Sequence, residues 1–412
     1  MIGANLAAPE VAMLPVDDQL DHLVHGLDTV LPADGLRRLL GEGRPLRVKL
    51  GVDPTAPDVT LGWAVVFRLL RRFQELGHLA VLIVGDFTAR VGDPSGRNET
   101  RRRLDADEVD AYAARCLDMI GDLLLPEPLE IRRNAEWLAP MTMEGILELT
   151  STLTVAQLLE RGDFRDRWSS QRPISLVEFM YPLLQGYDSV AVEADIELGG
   201  ADQLWNLTMG RVIQERYGQS PQTVVTVPLL VGTDGVKKMS QSLGNYISVR
   251  HPAGEMFGRT MSIPDEVMGE WLVLAAGLRR PEAEAIMTEV AAATRRPGET
   301  KRLLARLVAA RYWGEEAAAE AEAGFDRVFV GHQIPEDVET VALPPDESEV
   351  SLPELLERAG LVRSRSEARR LLGQGAIRIE GVPVDTERLP ADAVAGKVVQ
   401  VGKRRFVRVK AP

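Results

Sequence analysis

Lys237 and Lys238 stand between a glycine turn, Gly232-Thr233-Asp234-Gly235, and the donors Ser240, Ser242 and Gly244. Ammonium groups, hydroxyls and open backbone on one loop are donors for phosphate oxygens. Phosphoryl and nucleotidyl transfer need such donors where charge develops on a leaving pyrophosphate. Two lysines near a glycine also make an ordinary polar surface loop. The order Lys238-Met239-Ser240-Gln241-Ser242-Leu243-Gly244-Asn245 sets this one apart. A second group lies at helical spacing: Tyr181, Gln185 and Asp188 fall at i, i+4 and i+7, on one helix face. A hydroxyl, an amide and a carboxylate on one face can grip both ends of an amino acid, and the flanking apolar residues favour burial of that face. Gly199 and Gly200 precede Asp202 and Gln203, and a double glycine at a strand end lets backbone approach a ligand closely.

The elements that must hold these groups alternate. Residues 46–52 read as a strand, 62–76 as an amphipathic helix ended by Gly77, and 79–85 as the apolar strand of a buried parallel sheet. A glycine-rich loop, 85–96, contains Asp93. Further strands are expected near 129–132, 195–198 and 223–228, with a helix from about 202. Residues 1 to about 30 show only weak patterning. The fold class is therefore α/β, a doubly wound parallel sheet with ligands outside the carboxyl ends of its strands. From about 256 to 326 the chain turns to Ala, Glu, Arg and Leu and reads as all-helical. Residues 335–349 are rich in Pro, Asp and Glu, as in a linker. After it, helices are expected at 352–359 and from about Ser366, taken as its N-cap, to 372, and strand-like segments at 376–379 and 397–409. The expected domains are 1–250 (catalytic), 251–334 (helical), 335–350 (linker) and 351–412 (small α+β).

In this order the segments resemble a class I aminoacyl-tRNA synthetase, in the bacterial tyrosyl branch with a C-terminal S4-like module. Lys238 to Ser242 is similar to the KMSKS loop, and Asp53-Pro54-Thr55-Ala56-Pro57-Asp58-Val59-Thr60-Leu61-Gly62-Trp63 to the HIGH segment. Residues 179–188 resemble the tyrosine-binding helix, and 197–203 the element after it. The likeness covers nearly the whole chain. It implies a Rossmann-like catalytic domain with a dimer-forming insertion, a helical tRNA-binding domain and an S4-like domain. It implies ATP, accompanied by Mg²⁺, as a substrate rather than a bound cofactor, with tyrosine or a close analogue and tRNA as partners, and a homodimer. Asp188 would hold the substrate phenol, while Tyr181, Gln185, Asp93 and Gln203 hold its head group. Asp53, Gly62, Trp63, Gly200, Asp202, Lys238, Met239, Ser240 and Gln241 would line the ATP site. Lys238, Arg97, Arg101, Thr55 and Thr60 would serve activation. Arg363, Arg365, Arg369 and Arg370, with the cluster Lys403, Arg404 and Arg405, suit RNA phosphates.

The chain departs from that pattern at the ATP phosphates. Thr60 and Trp63 stand where the family has histidines, Gln241 replaces the second KMSKS lysine, and Ala201 replaces a small hydroxyl residue. Each lost donor in such a site typically costs about 10²–10³ in rate. A weakened activation step is therefore expected. Two other functions stay open: a tyrosine- and tRNA-binding paralogue that does not activate, and a tyrosyl transferase of specialised metabolism.

Composition is consistent with these expectations. The 412 residues carry a net charge of −13, which disfavours non-specific nucleic-acid binding over the whole surface. From 351 onward, 13 Lys+Arg stand against 7 Asp+Glu, a net +6, which leaves −19 on the rest. A basic module on an acidic body is the footprint of a local RNA contact. Cys116 is the single cysteine, so neither a disulfide framework nor a cysteine-rich metal site is available; it reads as core, and no metal site is expected. His78, following Gly77, reads as structural. No apolar run is long enough to span a bilayer and no secretory pattern opens the chain, so the cytoplasm is the expected compartment.

Overall fold

The computed structural model describes residues 13–93, 104–329, 339–343, 349–402 and 405–410. They form two compact units, Met1–Tyr312 and Trp313–Pro412.

The first unit is built on a six-stranded sheet: β1 (Thr29–Leu31), β2 (Arg47–Val52), β3 (Leu79–Val84), β4 (Leu129–Arg133), β5 (Ile196–Gly200) and β6 (Thr223–Val227). The order is β1-β6-β5-β2-β3-β4. The strands β2 to β6 pair in parallel, as the apolar runs require, while β1 lies antiparallel on the edge against β6. The weakly patterned lead-in is thus corrected. It contains β1 and, before it, helix α1 (Val16–Leu23). A three-residue strand carries no periodicity of its own and exists because β6 offers an edge.

Both faces of the sheet are covered. Ala80 and Leu82 of β3 point into a core shared with helix α2 (Leu61–Glu75), while the alternate Val81 and Ile83 pack on the other face with Val192 and Ala194. Phe67 and Phe73 of α2 are fully buried, each stabilising the fold by about 1.5–3 kcal/mol. Helices α3 (Ala106–Gly121), α4 (Leu176–Ala191) and α5 (Leu204–Arg216) complete the layers. Cys116 is core, its thiol pushed up to about 11 by burial. His78 is buried too, accepting from the Leu46 amide and meeting Gln19, and burial takes it down to about 4.

The compositional change near 256 marks α6 (Ala253–Met261), α7 (Met268–Leu274), α8 (Arg280–Ala291) and α9 (Pro297–Phe329). Met256, Trp271, Leu304 and Val308 from these helices join the core that holds Leu50 and Phe67. α9 is broken at Gly314, whose φ of 84° suits glycine alone.

In the second unit β7 (Thr340–Ala342) and β8 (Glu349–Ser351) precede α10 (Leu352–Arg358) and α11 (Arg365–Gly373). Four short strands follow: β9 (Ile377–Ile379), β10 (Val382–Pro383), β11 (Arg388–Pro390) and β12 (Val398–Val401). The last is β13 (Arg405–Lys410). The expected strand-like segment 397–409 is therefore two antiparallel strands, β12 and β13. The cap of α11 is Ser364, which accepts from the Glu367 amide, and not Ser366. The earlier serine is the one with extended backbone, which capping requires.

Candidate active site

The strand order reverses between β2 and β5, the point where an open α/β sheet leaves a crevice at its carboxyl edge. Asp53 and Thr55 follow β2, Gly85 and Thr88 follow β3, Asn134 follows β4, Gly200 ends β5, and Asp202 and Gln203 follow it. The sequence candidates for the amino-acid site therefore meet at that edge, together with residues that the sequence did not single out.

Asp53 is held from two sides. Its Oδ1 accepts from the Thr88 hydroxyl at 2.7 Å and its Oδ2 from the Tyr181 phenol at 2.9 Å. A Cβ on Gly85 would lie 2.0 Å from Asp53 Oδ1, so only glycine leaves room for this carboxylate. Asp188 accepts from Trp137 Nε1 at 2.9 Å and Asn134 Nδ2 at 3.2 Å, and Asn134 Nδ2 also reaches the Thr88 hydroxyl at 2.9 Å. A continuous polar chain thus runs from Asp188 through Asn134, Thr88 and Asp53 to Tyr181. Burial pushes Asp53 up to about 7, and Asp93 and Asp188 add to the rise against the Thr88 and Tyr181 hydrogen bonds. Burial also lifts Asp188 to about 6, opposed by Lys49 and by its two donors.

Gln203 donates to Asp93 at 2.9 Å and accepts from Asn206 at 3.0 Å. Gln185 Oε1 is buried without a partner among the described residues, and its Nε2 lies 3.5 Å from Glu197. An amide oxygen left open beside Tyr181 and Asp188 is an acceptor available to a ligand's ammonium group. Beneath the same helix, Lys49 and Glu197 are paired residues of β2 and β5, joined at 2.8 Å and essentially unexposed. Lys49 also donates to the Gln185 carbonyl and the Ser189 hydroxyl, and Gln222 donates to Glu197. Thr88, Asn134, Trp137, Lys49 and Glu197 were not among the sequence candidates. The position of Asn134 just after an expected strand was the one usable signal.

The nucleotide-side candidates are placed differently. Thr60 is 2 % exposed and caps α2, its hydroxyl accepting from the Trp63 amide at 3.3 Å. The Trp63 side chain is partly buried against the core of the sheet. Met239 covers Gly62, whose Cβ would stand 3.4 Å from that of Met239. Lys238 pairs with Asp202 at 2.6 Å. Ser240 and Ser242 share a hydrogen bond at 2.9 Å, and Gln241 binds the Asp58 backbone. The left-handed Gly244 and Asn245, which accepts from the Ser240 amide, close the loop. An added Cβ at Gly200 would stand 2.8 Å from Leu229 and 2.9 Å from Asp202, so a side chain there would displace one or both. Arg97 and Arg101 lie outside the described residues, as do Lys403 and Arg404. No three of His, Cys, Asp and Glu gather as metal ligands among the described residues.

In the second unit Arg363, Arg365, Arg369 and Arg370 are exposed on or beside α11. Arg365 is paired with Glu357 at 2.9 Å and Glu354 at 3.2 Å, Arg369 with Glu387 at 3.1 Å, and Arg405 with Glu367 at 3.7 Å. Ion pairs as open as those of Arg365 and Arg369 are weak.

Known proteins resemble this chain in sequence and in fold. Residues 41–330 match the family described as "tRNA synthetases class I (W and Y)", and 350–390 match the S4 domain. The tyrosine–tRNA ligase of Moorella thermoacetica is 46 % identical over 395 residues, covering 95 % of each chain. That of Shewanella oneidensis is 45 % identical over 397 residues, covering 96 % of this chain and 99 % of its own. The tyrosyl-tRNA synthetase of Archaeoglobus fulgidus, solved with L-tyrosine, shares the fold at a TM-score of 0.60 and 20 % identity, covering 75 % of this chain and 100 % of its own. A polar chain from Asp188 to Asp53 and Tyr181 beside the strand reversal, a family match over most of the length and relatives alike from end to end lead to one conclusion: the chain belongs to the tyrosyl-tRNA synthetase family of class I.

Proposed function

We propose that the protein activates tyrosine with ATP and transfers it to tRNA. The observation that carries this reading is Asp188, a buried carboxylate held by Trp137 and Asn134 on the helix face that also presents Tyr181 and Gln185. A buried acceptor at that depth recognises a phenol hydroxyl, and the open Gln185 oxygen, with Asp93 and Gln203, recognises the ammonium end. The substrate carboxylate attacks the α-phosphorus of ATP, the bond to pyrophosphate breaks, and no enzyme nucleophile is needed, so positioning and electrostatics supply the catalysis. ATP arrives as its Mg²⁺ complex, and the metal is part of the substrate. Asp202 takes the ribose hydroxyls once Lys238 leaves it for the pyrophosphate. The exposed arginines of the S4 unit take the tRNA backbone. Homodimerisation is supported by five large exposed apolar side chains within residues 143–176: Met143, Leu147, Val155, Trp168 and Leu176. No helix among the described residues is long and apolar enough to cross a membrane.

A second reading, a tyrosine-binding protein that does not activate, is favoured by the state of Thr60. Its one hydroxyl is buried, accepts from the Trp63 amide at the helix start, and is shorter than a histidine and uncharged. Tyrosine-dependent ATP–pyrophosphate exchange separates the two. The unaltered chain is expected to exchange, and Lys238→Ala to lose about 10²–10³ of that rate, the usual cost of one oriented donor. Tyrosine binding without any exchange establishes the second reading instead. Recovery of exchange in a Thr60→His, Trp63→His, Gln241→Lys variant then locates the defect in the motifs.

A further inference from the structure

Gln241 is the residue of the loop with both polar ends engaged by one peptide. Its Nε2 donates to the Asp58 carbonyl at 2.6 Å, and its Oε1 accepts from the Asp58 amide at 3.1 Å. This is the pairing that a β-strand makes with its neighbour, supplied here by a side chain. Among side chains a carboxamide offers a donor and an acceptor in one plane, whereas a lysine has no acceptor. Asp58 is itself fixed, its Oδ2 accepting from the Tyr246 phenol at 3.0 Å and its Oδ1 facing Arg115 at 3.7 Å. The chain on either side is tied down too: the Leu61 amide donates to the Ile247 carbonyl and the Val249 amide to the Val59 carbonyl. The 238–242 loop is therefore continuous with a short ladder that ends at the N-cap of α2. In this arrangement Met239 is buried over Gly62 and Lys238 reaches Asp202.

We propose that Gln241 is a positioning residue, its amide clasping the 238–242 loop to the Asp58 peptide and so holding Lys238 at the nucleotide site before any nucleotide arrives. The proposal deepens the preceding reading and rests on it only for the identity of the reaction. A loop that must be ordered by its ligand weakens that ligand's apparent affinity by the fraction of time the loop is out of place. Exchanging a second loop cation for a carboxamide gives up one contact with the leaving pyrophosphate and gains a loop already in position. The expected signature is an effect on ATP affinity with little effect on turnover.

The test uses the full-length protein with Gln241→Ala and Gln241→Lys. Trypsin cleavage after Lys237 and Lys238, without nucleotide, reads how often the loop opens, since proteolysis follows the open population when reclosing is fast. Q241A is expected to be cut about tenfold faster, and its KM for ATP to rise about tenfold, equivalent to about 1.4 kcal/mol. Its kcat is expected to stay within about twofold and its tyrosine affinity to be unchanged. Q241K, which can donate to the Asp58 carbonyl but not accept from the amide, is expected to be cut after Lys237 and Lys238 at an intermediate rate, the fragments being separated by mass because the substitution adds a trypsin site of its own. Cleavage of both variants at the unaltered rate overturns the clasp. So does a fall in kcat at constant KM, which places Gln241 in contact with the reacting atoms instead. If the unaltered chain forms no adenylate, the reading of the reaction fails while the cleavage comparison still decides on the clasp.

Discussion

Asp188→Ala is expected to remove most of the discrimination between tyrosine and phenylalanine. The carboxylate is buried with two donors on it, and in the proposed reading a phenol hydroxyl is the third. Phenylalanine would bury the same carboxylate without that third partner. A site built around a substrate hydroxyl rejects the analogue lacking it by about 10⁴–10⁵; tyrosyl-tRNA synthetase is the standard instance of the effect, and the figure is taken from it. Without the carboxylate the ratio of kcat/KM values is expected to fall to about tenfold, what ordinary packing differences supply. A ratio still above about 10³, by the same reasoning, in pyrophosphate exchange sinks the assignment.

The same carboxylate sets a pH limb. With Asp188 raised to about 6 and the substrate phenol protonated throughout, tyrosine affinity is expected to fall as the carboxylate protonates. One-site titration gives about a tenfold loss between pH 7 and pH 5. The stability of the free protein runs the other way. Asp53 and Asp188 have folded values of about 7 and about 6, above their ordinary 3.8. Their contribution is fully present below about pH 4 and is lost as pH rises through those folded values. Binding titrations and thermal unfolding over that range are expected to slope in opposite directions.

Lys49→Met carries the largest expected effect on stability. The Lys49–Glu197 pair is inaccessible, and its ammonium also serves the Gln185 carbonyl and the Ser189 hydroxyl. Removing one partner of a buried pair leaves an uncompensated charge, typically about 3–5 kcal/mol. Denaturant unfolding is expected to show a loss of that size. Adding Glu197→Gln should recover part of it, because the stranded charge is then gone. Lys49 also holds the Asp188 value down, so the tyrosine-binding limb of the single variant is expected to move to higher pH. A stability change under about 1 kcal/mol means that the ammonium is not the counter-charge of Glu197.

What was legible in the sequence was whatever lies on one element. Tyr181, Gln185 and Asp188 sit on α4, and helical spacing alone puts them together. The parallel strands announced themselves as apolar runs, because burial on both faces leaves no polar alternation. Thr88 and Trp137 carry no sequence signal and Asn134 only its place after a strand: their meeting at Asp188 and Asp53 depends on β2, β3, β4 and α4 being adjacent. Lys49 looked like the polar member of an alternating strand, and only the pairing of β2 with β5 reveals its partner. Strand β1 was missed for the same reason, its order being borrowed from β6. Thr60 is expected from the resemblance to serve the phosphates; its extended backbone at ψ 162° makes it the cap of α2 as well, a role its residue type alone does not announce.

The contact between Lys238 and Asp202 makes the proposed nucleotide site its own competitor. A ribose approaching Asp202 meets a carboxylate already occupied by an ammonium 2.6 Å away. Adenosine must evict that ammonium and offers it no anion in return. ATP evicts it as well but brings a triphosphate for it to move to. The loop lysine thereby acts as a filter between nucleoside and nucleotide. Adenosine is expected to gain affinity in Lys238→Ala while ATP loses it, and equal losses for both would show that the ammonium filters nothing.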